Sequence, residues 1–129
     1  MQTIIVCEEI GELLNRLGLT DKEKGYERLS YAIELTAREF ERAGSVTKLL
    51  YPDLAKYFRT SPEKIERSIR HLIQKSWENG NIECFEELFG YHRENSEIRP
   101  TNSEYIAILA DKIRSGAYEN VLESIEEFE

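Results

Sequence analysis

Apolar residues never run on for more than a few positions in this sequence, as at Ile4, Ile5, Val6 and Cys7. No segment is therefore long enough to span a bilayer, and nothing has the shape of a signal peptide, which points to the cytoplasm. Cysteine is scarce too. Cys7 and Cys84 are the only two, without the count or spacing of a disulfide framework and without paired His or Cys neighbours for zinc. Both read as reduced core thiols. The two histidines, His71 and His92, have no Ser, Cys or metal-ligand partner at a useful spacing, and there is no Gly-rich phosphate loop. Carboxylates are abundant, but Glu8 with Glu9, Glu86 with Glu87 and Glu126 with Glu127 are adjacent pairs, which diverge by about 100° on a helix. Nothing converges on a reacting atom, so the sequence predicts no enzyme, no metal, no cofactor and no small-molecule substrate.

Basic charge is also in deficit, with 17 Lys and Arg against 25 Asp and Glu for a net charge of -8. A chain of this sign does not announce nucleic acid by charge alone, so a DNA-binding role has to rest on local geometry. The acidity is uneven. Residues 117–129, "AYENVLESIEEFE", carry Glu119, Glu123, Glu126, Glu127 and Glu129 and no Lys or Arg, which leaves the rest of the chain at 20 acidic and 17 basic residues, a net -3.

What is present suits one folded domain: 129 residues, 40% hydrophobic and 33% charged. Helical spacing dominates, and no strand-like alternation, internal repeat or low-complexity segment interrupts it. Ile4, Ile5, Ile10, Leu13, Leu14 and Leu17 predict a first helix over 3–17, capped by Gly18. After the charged linker "TDKEK", Leu29, Ala32, Ile33, Leu35, Ala37 and Phe40 predict a second over 26–43, stopped by Gly44. Pro52 suits the first turn of a short helix through Phe58, followed by a tight "RTS" connection.

The next helix, within "SPEKIERSIRHLIQKSWENGN", is the best signalled. Thr60 with Glu63 fits a capping box, while a start at Ser61 places Pro62 at the first helical position. Ile65, Ile69, Leu72 and Ser76 fall on one side with Ile73 at its margin; Glu66, Arg67, Arg70, His71 and Gln74 gather on the other. Asn79 and Gly80 end it, "IECFEELF" supplies a short helix, and "GYHRENSEIRP" is a polar connection. A last helix over 101–114 has Thr101, Asn102 or Ser103 as caps and buries Ile106, Leu109, Ala110 and Ile113, with Gly116 as its breaker. The tail could add an amphipathic turn or two through Val121, Leu122, Ile125 and Phe128. The fold class is thus all-α: about six helices containing a helix-turn-helix over 1–116, then an acidic tail over 117–129.

A short helix, a three-residue turn and a second helix with a polar outer face make a helix-turn-helix. Such pairs are common in helical proteins, and residue type carries the argument further. Arginine offers a planar fork that matches guanine O6 and N7, glutamate accepts from cytosine N4, and both stand side by side here.

At these residues four segments, "GSVTKLLYPDLAKYF", "KIERSIRHLIQKSW", "GNIECFEELFGY" and "RPTNSEYIAILADKIR", occur in an order and at spacings that resemble the C-terminal DNA-binding effector domain of stage 0 sporulation protein A. The resemblance covers about residues 4–114. It implies six helices, binding to double-stranded DNA at a TGTCGAA-like box, and transcriptional regulation in sporulation or a related programme. The family's "ERxIRH" core is matched by Glu66, Arg67, Ile69, Arg70 and His71. The resemblance makes Glu66, Arg67 and Arg70 base readers, with His71 and Gln74 at the edge of the same face, where base contacts stand equal with phosphate or water-mediated ones. Ser45, Thr47, Lys48, Lys56 and Lys64 become candidates for the DNA backbone. "GNIECFEELFGY" matches the surface for the RNA polymerase sigma factor, with Gly80, Cys84, Glu86 and Phe89 as its residues, although Glu86 and Glu87 make it unusually acidic. Ala110, Asp111 and Ile113 fall where the family pairs head to tail on tandem boxes, with core packing the plain alternative for Ala110 and Ile113.

Family proteins carry an N-terminal phosphoacceptor receiver domain, and this sequence opens with Met1 just before the first matched helix. That favours a stand-alone paralogue over a fragment. The acidic tail could pack as an extra helix, pair with basic groups, or oppose DNA electrostatically; a solvated terminus is the simplest reading. The rival function is a protein-interaction module that modulates a full-length regulator or polymerase. The acidic balance favours it, and the intact reader set on the outer face of the recognition helix speaks against it.

Overall fold

The computed structural model describes residues 2–39, 46–90 and 99–115, with side chains from Glu8 onward and, in the second stretch, from Lys48. Its described residues form six α-helices and no strand. The helices are α1 (Gln2–Arg16), α2 (Tyr26–Arg38), α3 (Tyr51–Tyr57), α4 (Pro62–Asn79), α5 (Ile82–Phe89) and α6 (Asn102–Ser115), with a π-helical turn at Val46–Leu50 leading into α3.

The apolar stripe of α1 is buried through Ile10, Leu13, Leu14 and Leu17. Gly18 then turns into the left-handed region at φ 84°, which a side chain would resist. The amide of Leu19 donates to Leu14 O at 2.9 Å and that of Gly18 to Asn15 O at 3.0 Å, the paired bonds of a glycine C-cap. Helix α2 buries Leu29, Ala32 and Ile33, and near its end the buried Glu34 accepts from Arg38 at 2.8 Å. It stops at Arg38, five residues short of the expected end at 43. Glu39 leaves helical geometry at φ -125°, ψ 76°, while its amide still donates to Leu35 O. Phe40 and the expected stop at Gly44 lie outside the described residues.

Helices α3 and α4 form the predicted helix-turn-helix. Arg59, at φ 55°, takes the left-handed position where glycine is usual, and Thr60 N donates to Ala55 O at 2.9 Å. Of the two starts that the sequence offers, Ser61 is the cap: it is extended, and its hydroxyl accepts from Lys64 N at 3.2 Å with Pro62 next in the chain. Ile65, Ile69, Leu72, Ile73 and Ser76 face inward as spaced. Thr101 caps α6 in a reciprocal box, with Glu104 N on Thr101 Oγ1 and Thr101 N on Glu104 Oε1, both at 3.1 Å.

The core is one cluster in which α2 packs most extensively on α6 and α3 lies against α4. Where α1 and α4 end, their backbones meet. Ser76 Oγ donates to Leu17 O at 2.7 Å, so the Tyr105 hydroxyl, also 2.7 Å from Ser76 Oγ, is the donor to it. Asn81 N donates to Arg16 O at 3.1 Å, and the Asn81 side chain caps α5 through Cys84 N at 2.9 Å. Trp77 meets Phe85 edge to face at 5.3 Å, which seats α5 on the end of α4. The inner face of α4 is thus fixed along its length, and its outer face is left to solvent.

Candidate nucleic-acid interface

Because α4 buries the side that holds Ile65, Ile69 and Leu72, helical geometry turns Arg67, Gln74 and Glu78 directly outward, with Glu63, Arg70 and His71 beside them. Arg67, Arg70, His71 and Gln74 are exposed, and Glu66 is half-buried at the margin. Four of the five expected readers thus stand exposed on one stripe, and the fifth borders it. Arg70 Nη1 lies 3.4 Å from Glu66 Oε1, one turn apart, with side chains 51% and 37% exposed. A pair this open contributes little to stability and separates readily. Gln74 Nε2 donates to Glu78 Oε1 at 3.2 Å. Arg67 has no polar partner among the described residues.

Several neighbours of this stripe escaped the sequence reading. The "TDKEK" linker comes alongside α4, where Lys75 Nζ pairs with Glu23 Oε2 at 2.6 Å. Lys24 lines the same groove as Arg67, His71 and Gln74. From α2, Arg28 Nη1 donates to Ser68 Oγ at 2.7 Å, and Ser68 Oγ in turn donates to Lys64 O at 2.9 Å. The Arg28 guanidinium also lies 6.0 Å from the centre of the Phe58 ring. Charge clustering in "TDKEK" was the only hint available for Lys24, and nothing local marked Arg28.

The family model for the C-terminal domain of sporulation initiation factor Spo0A matches residues 10–113, which spans all six helices, from within α1 to within α6. The chain belongs to this family. Spo0A C-terminal domains are sporulation-associated DNA-binding domains that act in transcription regulation, and they are not an enzyme type.

In this Spo0A C-terminal domain the other expected contacts are distributed unevenly. Lys48, Lys56 and Lys64 are exposed, at the π-helical turn, near the end of α3 and in the first turn of α4. Thr47 lies in the π-helical turn with only its backbone described, and Ser45 lies outside the described residues. The partner surface expected on α5 is partly enclosed. Cys84 is fully buried because Asn81 fixes the inward turn of α5, and Gly80 is packed between Leu17 O and the Phe85 ring. Phe89 stacks on Phe85 at 5.4 Å and stays half-buried, as does Glu86. The outward residues are Ile82, Glu83 and Glu87.

In the expected pairing surface, Ala110 and Ile113 belong to the core, on the stripe that seals α6, which is the plain packing alternative for both. Asp111, half-buried and 3.1 Å from Arg114, is the one expected residue with access, beside Ile108 and Lys112. Among the described residues no three His, Cys, Asp or Glu could hold a metal ion, and no helix is long and apolar enough to cross a membrane.

Burial pushes the Cys84 thiol up to about 12, slightly offset by Arg16, and it raises the Tyr105 phenol as well. Both shifts act the same way. The unfolded chain ionises near the ordinary value of 9.0 for the thiol while the folded state resists, so stability is complete below that pH and falls as pH rises through it. Urea titrations should show the unfolding free energy constant from pH 7 to 8.5 and dropping above pH 9, by about 1.4 kcal/mol per pH unit for the thiol alone. Iodoacetamide at pH 8 should leave Cys84 unmodified until urea is added. Rapid labelling of the native protein at that residue would contradict its burial.

Proposed function

We propose that this domain regulates transcription by reading a TGTCGAA-like box, with α4 in the major groove and Glu66, Arg67, Arg70, His71 and Gln74 at the base edges. The observation that carries the reading is the outer stripe of α4. Arg67 and Arg70 stand exposed one turn apart on the capped second helix of the helix-turn-helix, and among the described residues Arg67 has no polar partner and Arg70 holds only an open one. Two adjacent forks with a carboxylate beside them suit neighbouring G·C pairs of opposite orientation.

Lys48, Lys56 and Lys64 supply contacts to phosphates, and the groove position of Lys24 adds a fourth candidate. The sigma-factor contact, if made through α5, uses its outward residues Ile82, Glu83 and Glu87 together with Glu86 and the edge of Phe89. Pairing head to tail on tandem boxes uses Asp111 with the half-buried Ile108 and Lys112 beside it and the exposed Arg114.

The test is a fluorescence-anisotropy titration of a labelled duplex carrying the box against a scrambled duplex, at two salt concentrations. A clear preference for the box, with affinity falling steeply with salt, is the expected result. Equal affinity for both duplexes would instead favour the protein-interaction module, which the net charge of -8 also suits.

A further inference from the structure

The readers on α4 rest on a layer of polar groups supplied by two other helices. Asn102, at the start of α6, donates from Nδ2 to the Tyr51 hydroxyl at 2.8 Å and to the backbone carbonyl of Glu66 at 3.3 Å. Tyr51 begins α3 and is almost fully buried. Burial pushes its phenol pKa up, the hydrogen bond from Asn102 draws it back, and the charges of Glu66 and Arg70 act on it in opposite directions. The hydroxyl is therefore within electrostatic reach of both members of the reader pair. One amide thus ties the first helix of the helix-turn-helix, the recognition helix at a reader's own backbone, and the first turn of α6.

The geometry is suited to setting the rotation of α4. A carbonyl in a helix already accepts from the amide four residues on, and a second donor from outside fixes that turn against its neighbours. The turn so fixed bears Glu66, with Arg67 next to it and Arg70 directly above. A small rotation there would move two guanidinium forks away from base edges, where recognition demands placement to within about half an ångström. Phosphate contacts through flexible lysines tolerate such a shift.

We infer that Asn102, with Tyr51, is a positioning residue for base recognition: it touches no DNA itself and governs how sharply Glu66, Arg67 and Arg70 discriminate sequence. The inference rests on the base-reading assignment above. Its particular signature is a loss of discrimination with general DNA affinity retained.

Asn102→Ala, Tyr51→Phe, the double variant and Arg67→Ala would be titrated beside the unaltered protein against box and scrambled duplexes, with circular dichroism and melting recorded for each. Tyr51→Phe keeps the ring that fills the core and removes only the hydroxyl, so it guards against a simple folding defect in the alanine variant. Asn102→Ala should lower the ratio of box to scrambled affinity about tenfold, with scrambled binding unchanged. Tyr51→Phe should lower it less, because the bond to Glu66 O remains, and the double variant should be no worse than Asn102→Ala alone.

If Arg67→Ala lowers the preference while both support variants keep it in full, the positioning role is wrong and base reading stands. Equal weakening of both duplexes by the support variants would also overturn it, since that is the mark of lost folding. Absence of preference in the unaltered protein would overturn the base-reading assignment and this inference with it.

Discussion

Replacing Arg67 by alanine is expected to lower affinity for the box by roughly 5- to 150-fold, about 1 to 3 kcal/mol, and to relax preference at one base pair while sparing the others. Arg67 is the cleanest reader to remove. It holds no polar partner among the described residues, so its loss leaves no orphaned group there. Arg70→Ala is less clean, because it frees the half-buried Glu66 carboxylate next to DNA phosphates and adds repulsion to the lost contact. Lys48→Ala offers the contrast. An exposed lysine on a phosphate should weaken every duplex alike and reduce the salt slope by about 1. Anisotropy titrations over a set of single-base variants of the box separate these patterns. Uniform weakening by Arg67→Ala across that set would remove it from the base readers.

Gly80→Ala should be among the most destabilising single changes in the chain. Its backbone angle of -77° suits any residue, so conformation is not the difficulty. Space is. An added methyl group would lie 2.6 Å from Ser76 O, 2.7 Å from Leu17 O and 2.6 Å from the Phe85 ring. The two oxygens cannot retreat: Ser76 O accepts from Gly80 N at 2.7 Å, and Leu17 O accepts from the Ser76 hydroxyl. Overpacking against backbone on this scale costs about 3 kcal/mol or more, which corresponds to a melting point lower by roughly 10 °C. Gly90→Ala is a useful comparison, since it meets no atom within 4 Å and has only its φ of 75° against it. About 1 kcal/mol is expected there. Similar melting points for the two variants would mean that the meeting of α1 and α4 is looser than described.

Much of the recognition helix was legible beforehand for a definite reason. A helix that buries Ile65, Ile69 and Leu72 must expose Arg67, Arg70 and Gln74, and Ser61 before Pro62 marks where it starts. Periodicity even assigned Ser76 to the inner face. Its partners, Leu17 O and Tyr105, lie 59 and 29 residues away and could not be read from spacing. The same limit explains Asn102, offered by the sequence only as a cap, and Lys24, read as part of a linker. Periodicity reports which side of a helix is apolar and leaves open what faces it. The resemblance puts Cys84, Gly80, Ala110 and Ile113 on surfaces, while residue type reads Cys84 as a core thiol and apolar spacing leaves core packing open for Ala110 and Ile113; the packing of α5 and α6 encloses all four. The end of α2 was missed because the apolar spacing continues through Phe40, while the backbone has already left the helix at Glu39.

Trp77 is the chain's only tryptophan, and it sits on the recognition helix itself. It lies ten residues, about 15 Å, beyond Arg67 along the axis and on the side that meets Phe85. The protein therefore carries its own optical gauge. Its indole emission views the seat of α5 on α4, about 15 Å from Arg67 although only one turn beyond Gln74. A spectral change on binding the box would register movement of the whole helix against its support, and an unchanged spectrum would mark a surface that reads DNA as a rigid template.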